Sequence, residues 1–355
     1  MNQNTPRSAF RVIDTGVRDG RFQIAFDQAL VEARKSGAVQ DTIRFLRFPS
    51  TALIGRHQDL SRELKLDHCR EHGIGIVRRI TGGGAIYLDE GQLGWELVCD
   101  RRAIGVATLA EMTARICQAA AAGLSSLGID AEYRPPTDIV VDGQKICGTG
   151  GYFDGDIVMY QGTTLVDLNL PAMMAAINIA APAEGTPPLR ITTLRALLPD
   201  ADLSIGRLQS ALISGFEENL GLTCAPAEPD ASELAAAQQI HDEEIGTEEF
   251  VAGIDRPGAD GSVRHGVSGP VNAWLRVEGA RDDRVREVVF TGDFVMVPPR
   301  LVMDLESGLR GVAADAVTDK VHAFFAETPP QIATAPANAF ASAVAEAMSG
   351  PSADS

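Results

Sequence analysis

Three consecutive glycines, Gly82–Gly84, follow two adjacent arginines, Arg78 and Arg79, at the end of a short apolar run. Glycine adopts backbone conformations that are closed to residues with a Cβ, and it lets the main chain approach a bulky group closely. Successive N–H groups in such a turn can form a concave anion site, and an arginine adds a forked donor for phosphate or carboxylate. The alternative is a tight strand connection without a ligand, because a glycine loop alone is a weak signal.

The composition limits what such a loop can bind. The chain has 355 residues, which suggests two domains or so, and a formal net charge of −17. A field of that sign repels polyanions, so a general nucleic-acid binder or a binder of anionic membranes is disfavoured. Any anion site must therefore be a local basic spot on an acidic protein, and the arginine–glycine segment fits that description.

The cysteines and the N-terminus predict a reduced, cytoplasmic protein. The five cysteines are scattered and form no Cys-x-x-Cys pair, which indicates free thiols and neither a zinc site nor a disulfide frame. Residues 1–10 are polar and show no secretory signal, and no run of about 18 apolar residues predicts a membrane span. We therefore expect a soluble, cytoplasmic protein.

The hydrophobic periodicity predicts an α+β fold in which helices pack on a mixed sheet. Residues 11–14 are predicted as an edge strand, and residues 108–127 as a long helix. Asp142-Gly143 between two apolar runs predicts a hairpin over residues 138–148, with a third strand at residues 158–167 alongside. Lys145 and Cys147 are two positions apart in that hairpin, so their side chains are expected on the same face of the strand.

A change in charge pattern predicts the domain boundary. Residues 208–255 contain no lysine or arginine, while aspartate and glutamate are frequent. Alternating strands and helical patterns restart after about residue 267. We therefore predict a larger domain over residues 1–250 and a small α+β accessory domain over residues 251–355.

Several collinear segments, spread over most of the chain, match motifs of a known family. They are Ile54-Gly55-Arg56-His57-Gln58-Asp59, Arg78-Arg79-x-Thr81-Gly82-Gly83-Gly84-Ala85, the 138–148 hairpin, Gln161-Gly162-Thr163-Thr164-Leu165, residues 193–198, and Thr291-Gly292-Asp293-Phe294. With these motifs the chain resembles the lipoate–protein ligase A family of the biotin/lipoate ligase superfamily, including its C-terminal accessory domain. The resemblance implies a biotin/lipoate ligase-type catalytic domain with a mixed sheet and helices.

The resemblance also implies a two-step reaction. Lipoate and ATP, with Mg²⁺ on the phosphates, would give lipoyl-AMP and pyrophosphate. The lipoyl group would then pass to a lysine of an acceptor lipoyl domain or of a glycine-cleavage H-like protein. Both steps gather negative charge on oxygens, so fixed cations and N–H donors are needed in a site shielded from water. Neither a nucleic acid nor a membrane is an implied partner.

The family's functional residues fall on specific positions of this sequence. Lys145 would be the catalytic cation, although an exposed lysine after a hairpin turn would look the same. Asp138 would orient Lys145 or the adenosine, or would simply face solvent, and the metal ligands stay unassigned. The resemblance implies adenylate or substrate binding by Arg79, Thr81, Gly82, Gly83, Gly84, Ala85, Asp138 and Gly148, with secondary candidates at Arg56, Arg78, Gly162 and Thr163.

Three departures from the family pattern bear on substrate preference. The family usually has histidine, asparagine and histidine where this chain has Leu88, Gln92 and Gln161. Because the glycines, arginines and lysine are kept, these changes concern the acyl-chain or acceptor preference more than the chemistry.

Two other functions are compatible with the resemblance. The first is an ATP-independent octanoyl or lipoyl acyltransferase on the same fold, which needs a cysteine nucleophile. In such relatives that cysteine lies before the hairpin, near residues 133–136 here, where this chain has none. Cys147 is interpreted as a small packing thiol. The second is a non-catalytic relative that binds lipoyl proteins, which the retained Lys145 and glycine loop disfavour. Biotin ligation is disfavoured because the Gly-Arg-Gly-type biotin loop is absent.

Overall fold

The computed structural model describes residues 8–106, 108–178, 190–255, 257, 263–279, 283–298 and 300–349. The strands are β1 (Ser8–Val17), β2 (Thr42–Arg47), β3 (Thr51–Ile54), β4 (Gly75–Arg78), β5 (Ile86–Leu88), β6 (Gln92–Asp100), β7 (Glu132–Arg134), β8 (Asp138–Val141), β9 (Gln144–Asp154), β10 (Ile157–Leu165), β11 (Leu222–Pro226), β12 (Arg264–Ser268), β13 (Val271–Glu278), β14 (Arg284–Gly292), β15 (Met296–Val297) and β16 (Ile332–Ala333).

The helices are α1 (Gly20–Lys35), α2 (Leu60–Glu63), α3 (Leu66–Glu71), α4 (Leu109–Ser125), α5 (Leu170–Ala176), α6 (Leu194–Leu197), α7 (Ile205–Leu220), α8 (Ala231–Ile240), α9 (Glu248–Val251), α10 (Arg300–Leu309), α11 (Val317–Glu327) and α12 (Ala337–Ser349). Short 3₁₀ turns and one π-helical turn at His241–Ile245 complete the described elements. No helix among the described residues is long and apolar enough to cross a membrane.

The chain divides into two compact units, and each is described by itself. Unit 1 contains residues 1–52, 68–77 and 87–247, and unit 2 contains residues 53–67, 78–86 and 248–355. The arginine–glycine segment is thus counted with the C-terminal part of the chain. The domain boundary expected after residue 250 stays a prediction.

Unit 1 is built on an eight-stranded mixed sheet in the order β11-β1-β2-β6-β10-β9-β8-β7. Strand β1 pairs in parallel with both β11 and β2, and the other pairings are antiparallel. The mixed α+β architecture is therefore confirmed. The prediction of an edge strand at residues 11–14 is wrong, because β11, more than 200 residues away in the sequence, covers the other side of β1.

The hairpin expected at residues 138–148 is confirmed. Strands β8 and β9 are joined by Asp142 and Gly143, both with positive φ, at 49° and 71°. Positive φ at both central residues is the conformation that matches the twist of antiparallel strands in a two-residue turn. The expected third strand is β10, which pairs with β9 from Ile157 to Thr164.

A buried ionic cluster lies in the core of unit 1. The Arg44 guanidinium is fully buried and donates to Asp27 at 2.7 Å and to Glu96 at 2.8 Å. It also lies 4.5 Å above the Phe26 ring and donates to Gln23. One cation faces two carboxyls. Burial, and then the charge of Glu96, raise the pKa of Asp27 well above its ordinary value against the opposing effect of Arg44. The folded cluster therefore holds a proton to higher pH than a free aspartate does.

Unit 2 contains a separate hydrophobic core. The antiparallel sheet β12-β13-β14 packs with helices α10 and α12, and Phe340 lies edge-on against both Phe290 and Phe294. One ionisable group lies beside this core. The Glu306 carboxylate accepts the Phe290 N–H at 2.8 Å, and burial raises its pKa to about 7, with the charge of Glu287 acting in the same direction.

We expect Asp27→Asn to flatten the pH dependence of stability in unit 1. Because the folded pKa of Asp27 is raised, its favourable contribution is full below the unfolded pKa and is lost as pH rises. Asparagine keeps the shape without a proton to lose, so the stability of the variant relative to the wild type should increase as pH rises above the pKa of an unfolded aspartate. Arg44→Met, which leaves two buried carboxyls without their cation, should cost about 3–5 kcal/mol. Urea titrations followed by Trp95 fluorescence in a Trp274→Phe background measure both.

A second pH effect is expected in unit 2. With a folded pKa of about 7, Glu306 destabilises the fold as pH rises from about 4.5 through 7. Glu306→Gln keeps the acceptor for the Phe290 N–H and should raise the thermal midpoint at pH 8 but not at pH 4. Calorimetry across that range provides the check, with the exposed Glu278→Gln as control. An equal gain at both pH values would contradict the assignment.

Candidate active site

A β-bulge decides where the Lys145 side chain lies. Ile139 pairs with Cys147, but the next residue, Val140, pairs with Lys145, so Ile146 is the extra residue on β9. An extra residue shifts the alternation of faces by one position. Lys145 and Cys147 therefore lie on opposite faces of the sheet, and the expectation that they share a face is wrong. Simple alternation along the sequence could not reveal the bulge.

The bulge brings Lys145 to Asp138 and Gly148 in unit 1. The Lys145 Nζ lies 2.7 Å from an oxygen of Asp138, and Asp138 is the cross-strand partner of Gly148. A Cβ at position 148 would lie 2.9 Å from both Cε and Nζ of Lys145. Gly148 is therefore the residue over which the lysine side chain passes, and a larger residue would displace it.

Asp138 binds two cations. Its second oxygen accepts from the Arg134 guanidinium at 2.8 Å. Burial raises the pKa of Asp138, but hydrogen bonds from Lys145 and Arg134, together with their charges, outweigh burial and hold it below its ordinary value. Asp138 is thus an anion that fixes the ammonium group of Lys145. Arg134 was not singled out from the sequence, although it stands four residues before Asp138.

The backbone of Lys145 is held from a distant part of the chain. Its N–H donates to the carbonyl of Arg190 at 2.8 Å, and its carbonyl accepts from the N–H of Thr192 at 3.0 Å. These bonds satisfy the backbone groups that a bulge removes from the strand ladder. Residues 190–192 directly precede helix α6, the segment that also matched the family pattern.

Two of the secondary candidates, Gly162 and Thr163, lie on opposite faces of strand β10. Thr163 on β10 is the cross-strand partner of Gly148, so it lies on the Lys145 face. Gly162 lies on the opposite face, where a Cβ would overlap the buried Trp95 ring. Packing therefore explains the glycine at position 162, and the geometry favours Thr163 over Gly162 as a contact residue.

The three departures occupy different surroundings in unit 1. Leu88 is a buried core residue. Gln92 is buried as well, and its side-chain carbonyl accepts the Asp89 N–H at 2.5 Å, which shapes the turn between β5 and β6. Gln161 is the cross-strand partner of Gly150 on the same face as Thr163. Only Gln161 lies on the sheet face that carries Lys145.

The five thiols, all within the described residues, lack the surroundings of a nucleophile. Burial raises the pKa of Cys147 to about 12, and its Sγ lies 3.9 Å from the Thr164 hydroxyl. Burial also raises the pKa of each of the others, Cys69, Cys99, Cys117 and Cys224. A reactive cysteine has a lowered pKa and partial exposure. These thiols behave as packing groups.

In unit 2, Arg79 shapes the glycine loop from within. Its guanidinium donates to the carbonyl of Gly82 at 2.8 Å and of Gly84 at 2.8 Å, and more distantly to that of Leu53 at 3.5 Å. Burial lowers the pKa of Arg79 to about 10, with the charge of Asp293 opposing the shift. The side chain is thus a buried cation whose hydrogen bonds within the described part of the chain all go to carbonyl groups, and it imposes the curvature of the loop.

Arg78 is also used internally. The buried guanidinium donates to five backbone carbonyls of unit 2, those of Gly55, Arg56, Gln58, Val251 and Ile254. Such a set supports a structural role, in which the arginine joins the 55–58 turn to the segment around α9. Its expected contact with a ligand stays a prediction that this geometry does not favour.

The glycines allow unit 2 segments to touch. A Cβ at Gly82 would lie 2.5 Å from the Phe294 carbonyl oxygen, and one at Gly84 would lie 2.8 Å from an Asp293 carboxylate oxygen. The Gly83 N–H donates to the Phe294 carbonyl at 3.1 Å, and Gly83 has a φ of 94°. The Gly83 N–H, one amide of the expected anion site, is therefore already hydrogen-bonded within the protein. Its acceptor, Phe294, belongs to the Thr291-Gly292-Asp293-Phe294 motif that resembles the accessory domain.

The remaining candidates border this loop. The Thr81 carbonyl accepts the Arg56 N–H at 2.9 Å, and the Arg56 guanidinium lies 4.7 Å above the Phe250 ring. Thr81 is buried and Ala85 half-buried. The predicted residues thus form two groups, one around Lys145 in unit 1 and one around the glycine loop in unit 2. No group of three or more metal-ligating side chains was found among the described residues.

Comparison with known proteins identifies the family. Residues 19–217, more than half of the chain, match the lipoyl protein ligase A/B catalytic domain. An octanoyltransferase LipM of Halalkalibacterium halodurans is 25% identical over 68% of this chain and 98% of its own length. Lipoate-protein ligase A subunit 1 of Thermoplasma acidophilum is 28% identical over 66% of this chain and 93% of its own length.

Solved structures agree with the sequence match. The bi-partite lipoate protein ligase of Thermoplasma acidophilum, studied with its E2 lipoyl domain, superposes with a TM-score of 0.60 at 25% identity, over 71% of this chain and 98% of its own. P. falciparum LipL1 in complex with lipoate has a TM-score of 0.69 over 92% of this chain and 96% of its own, but at 16% identity it shows a likeness of fold alone. The biotin/lipoate ligase-type fold is therefore confirmed, and the protein belongs to the lipoyl protein ligase A/B catalytic-domain family, a family of lipoate ligases and octanoyltransferases.

Proposed function

We propose that this protein is an ATP-dependent lipoate–protein ligase. In the first step a lipoate carboxylate oxygen attacks the α-phosphorus of ATP, the bond to the β-phosphate oxygen breaks, and pyrophosphate leaves with the electron pair. In the second step a neutral lysine amine of the acceptor attacks the acyl carbon, the acyl–phosphate bond breaks, AMP leaves, and the amine loses a proton. Lipoate and ATP are the proposed substrates, and similar proteins solved with bound lipoic acid and with bound ATP support this choice.

Lys145 is proposed to stabilise the charge that develops in both steps. Its ammonium group is only partly exposed, and Asp138 and Gly148 fix its position. A cation held in place before reaction needs little reorganisation at the transition state, which is the main source of electrostatic catalysis. The proposal gives Asp138 and Gly148 positioning roles and makes Thr163, on the same face, a candidate contact residue.

The glycine loop is proposed to bind the acyl-adenylate through its backbone and through the field of Arg79. The Arg79 guanidinium donates to the carbonyls of Gly82, Gly84 and Leu53, so its charge, and not a direct pair of hydrogen bonds, would attract the phosphate. Thr81 and Ala85 continue the same segment. The roles of the loop and of Lys145 are separate parts of the proposal and are tested separately.

The observation that carries this choice is the state of the thiols. An ATP-independent acyltransferase would pass the acyl chain through a cysteine thioester, yet burial raises the pKa of all five cysteines. Residues 133–136 contain no cysteine either. Direct transfer from an adenylate needs a fixed cation and no thiolate, and Lys145 meets that need.

The acyltransferase is the second candidate function, because several of the most similar relatives are octanoyltransferases. It predicts transfer from an octanoyl thioester without ATP, through an acyl-cysteine that mass spectrometry would detect. The ligase predicts ATP-dependent formation of acyl-AMP from the free acid. A parallel assay with both donors separates the two.

The acceptor is proposed to be a lipoyl-domain protein or a glycine-cleavage H-like protein. The similar Thermoplasma acidophilum ligase was analysed together with its E2 lipoyl domain, which supports a partner of that kind. The resemblance also implies Mg²⁺ on the ATP phosphates. The described residues contain no cluster of three or more candidate ligands, and the ATP phosphates themselves are proposed to hold the ion.

Lys145→Ala should lower both half-reactions, adenylate formation and transfer from preformed lipoyl-AMP. Loss of one preorganised donor costs about 2.7–4 kcal/mol, or roughly 10²–10³ in rate. Lys145→Arg should restore little, because a planar fork does not replace a compact ammonium. Single-turnover assays with radiolabelled ATP, and then with purified lipoyl-AMP, measure the two steps independently.

The matched variant for that experiment is Cys147→Ser. Because Cys147 lies on the opposite face of the bulged strand from Lys145, the variant should stay within about tenfold of the wild type. A dead Cys147→Ser variant, with an acyl-thioester trapped on the wild type and no need for ATP, would replace the ligase by a thiol acyltransferase.

Gly148→Ala should displace the Lys145 side chain, because the new methyl group would lie 2.9 Å from its Nζ. A shift of about 1 Å at a reacting group can cost roughly 10²-fold, so adenylate formation should fall about 10- to 100-fold with the fold retained. Acetylation of Lys145, followed by mass spectrometry, provides a readout independent of activity. Gly150→Ala, two residues along β9 with open space at its Cβ, is the control. Equal acetylation rates in both variants would contradict the positioning role.

A further inference from the structure

The Asp293 carboxylate lies against the middle of the glycine loop. One of its oxygens is 2.8 Å, and its Cγ 3.2 Å, from the point where a Cβ of Gly84 would stand. Both residues belong to unit 2. The Asp293 carboxylate therefore occupies the space that a side chain at position 84 would fill.

The surroundings of Asp293 hold it only weakly. Asp293 is exposed, and no hydrogen bond of its carboxylate to another described residue was found. Asp293 is attracted by the charge of Arg79, whose guanidinium donates to the carbonyls of the loop and of Leu53. The nearby Glu63 carboxylate opposes this attraction. Burial raises the pKa of Glu63, and the nearby charge of Asp293 raises it further, so the two carboxylates repel each other.

The hydrogen bonds of Arg79 satisfy its donors but do not neutralise its positive charge. A buried cation whose donors meet only carbonyl dipoles keeps a full charge in a medium of low polarity, and buried charges are usually paired. Asp293 is the nearby acidic side chain that compensates it in this structure. A ligand phosphate at Gly84 would compensate the same charge and would compete for the same place.

We propose that Asp293 is a displaceable counter-ion of Arg79 at the glycine loop. The loop would then favour ligands that carry a negative charge and place that charge at Gly84. A ligand that places an anionic phosphate ester or acyl phosphate against Gly84 gains the attraction of Arg79 but must push the Asp293 carboxylate away. A neutral nucleoside is not attracted by Arg79 and does not have to displace Asp293. This inference rests on the proposed function, since it concerns the same adenylate at the same loop.

The test compares a phosphate-bearing ligand with its neutral counterpart. Calorimetry measures the affinity of AMP, of a stable acyl-adenylate mimic and of adenosine for the full-length wild type and for Asp293→Asn. Removing one competing charge at this range should tighten binding of AMP and the mimic about three- to thirtyfold, with less effect at 0.5 M NaCl. Adenosine should bind both proteins equally.

Asp319→Asn, an exposed aspartate on α11 in the same unit, is the control for the change in net charge and should leave all affinities unchanged. A thermal midpoint within about two degrees of the wild type shows that Asp293→Asn is folded. Unchanged or weaker AMP binding in Asp293→Asn, or an equal gain for adenosine, overturns the inference and leaves the ligase intact. If the wild type binds neither AMP nor the mimic, the proposed function fails and this inference fails with it.

Discussion

The single extra residue at Ile146 is the feature on which the position of Lys145, and with it the proposed chemistry of unit 1, depends. Without it, Lys145 would follow the regular alternation of β9 and share a face with Cys147. With it, the lysine lies across Gly148 and meets Asp138. The bulge is stable because residues 190–192, far along the chain, bond to the backbone of Lys145. A β-bulge next to a functional group is a common way of redirecting one side chain without disturbing the sheet.

The shape of the glycine loop depends on contacts within unit 2. Its curvature is imposed by Arg79 from inside, and two of its three glycines make room for Asp293 and Phe294. Glycine at these positions thus allows close packing within unit 2. In the proposed function it would also allow close approach of a ligand at Gly84, where the group to be displaced is the Asp293 side chain.

The core of unit 1 shows why the sheet tolerates charges. Arg44, Asp27 and Glu96 are almost completely buried, and the arginine is surrounded by acceptors and by the Phe26 ring. With one cation facing two carboxyls, burial favours the protonated form of one carboxyl and raises the pKa of Asp27. Burial raises the pKa of the thiols of Cys99 and Cys147 in the same unit for the same reason.

The sequence by itself determined the class of fold, the hairpin, the glycine loop and the family, because these depend on local patterns: periodicity, the Asp142-Gly143 turn and collinear motifs. The tertiary structure decided what the local patterns leave open. The partner of β1, the bulge at Ile146, the internal use of Arg78 and the place of Asp293 all depend on residues tens to hundreds of positions away. A side chain's neighbours across a sheet are set by strand register and packing. Register is a property of two segments together, and no single stretch of sequence contains it.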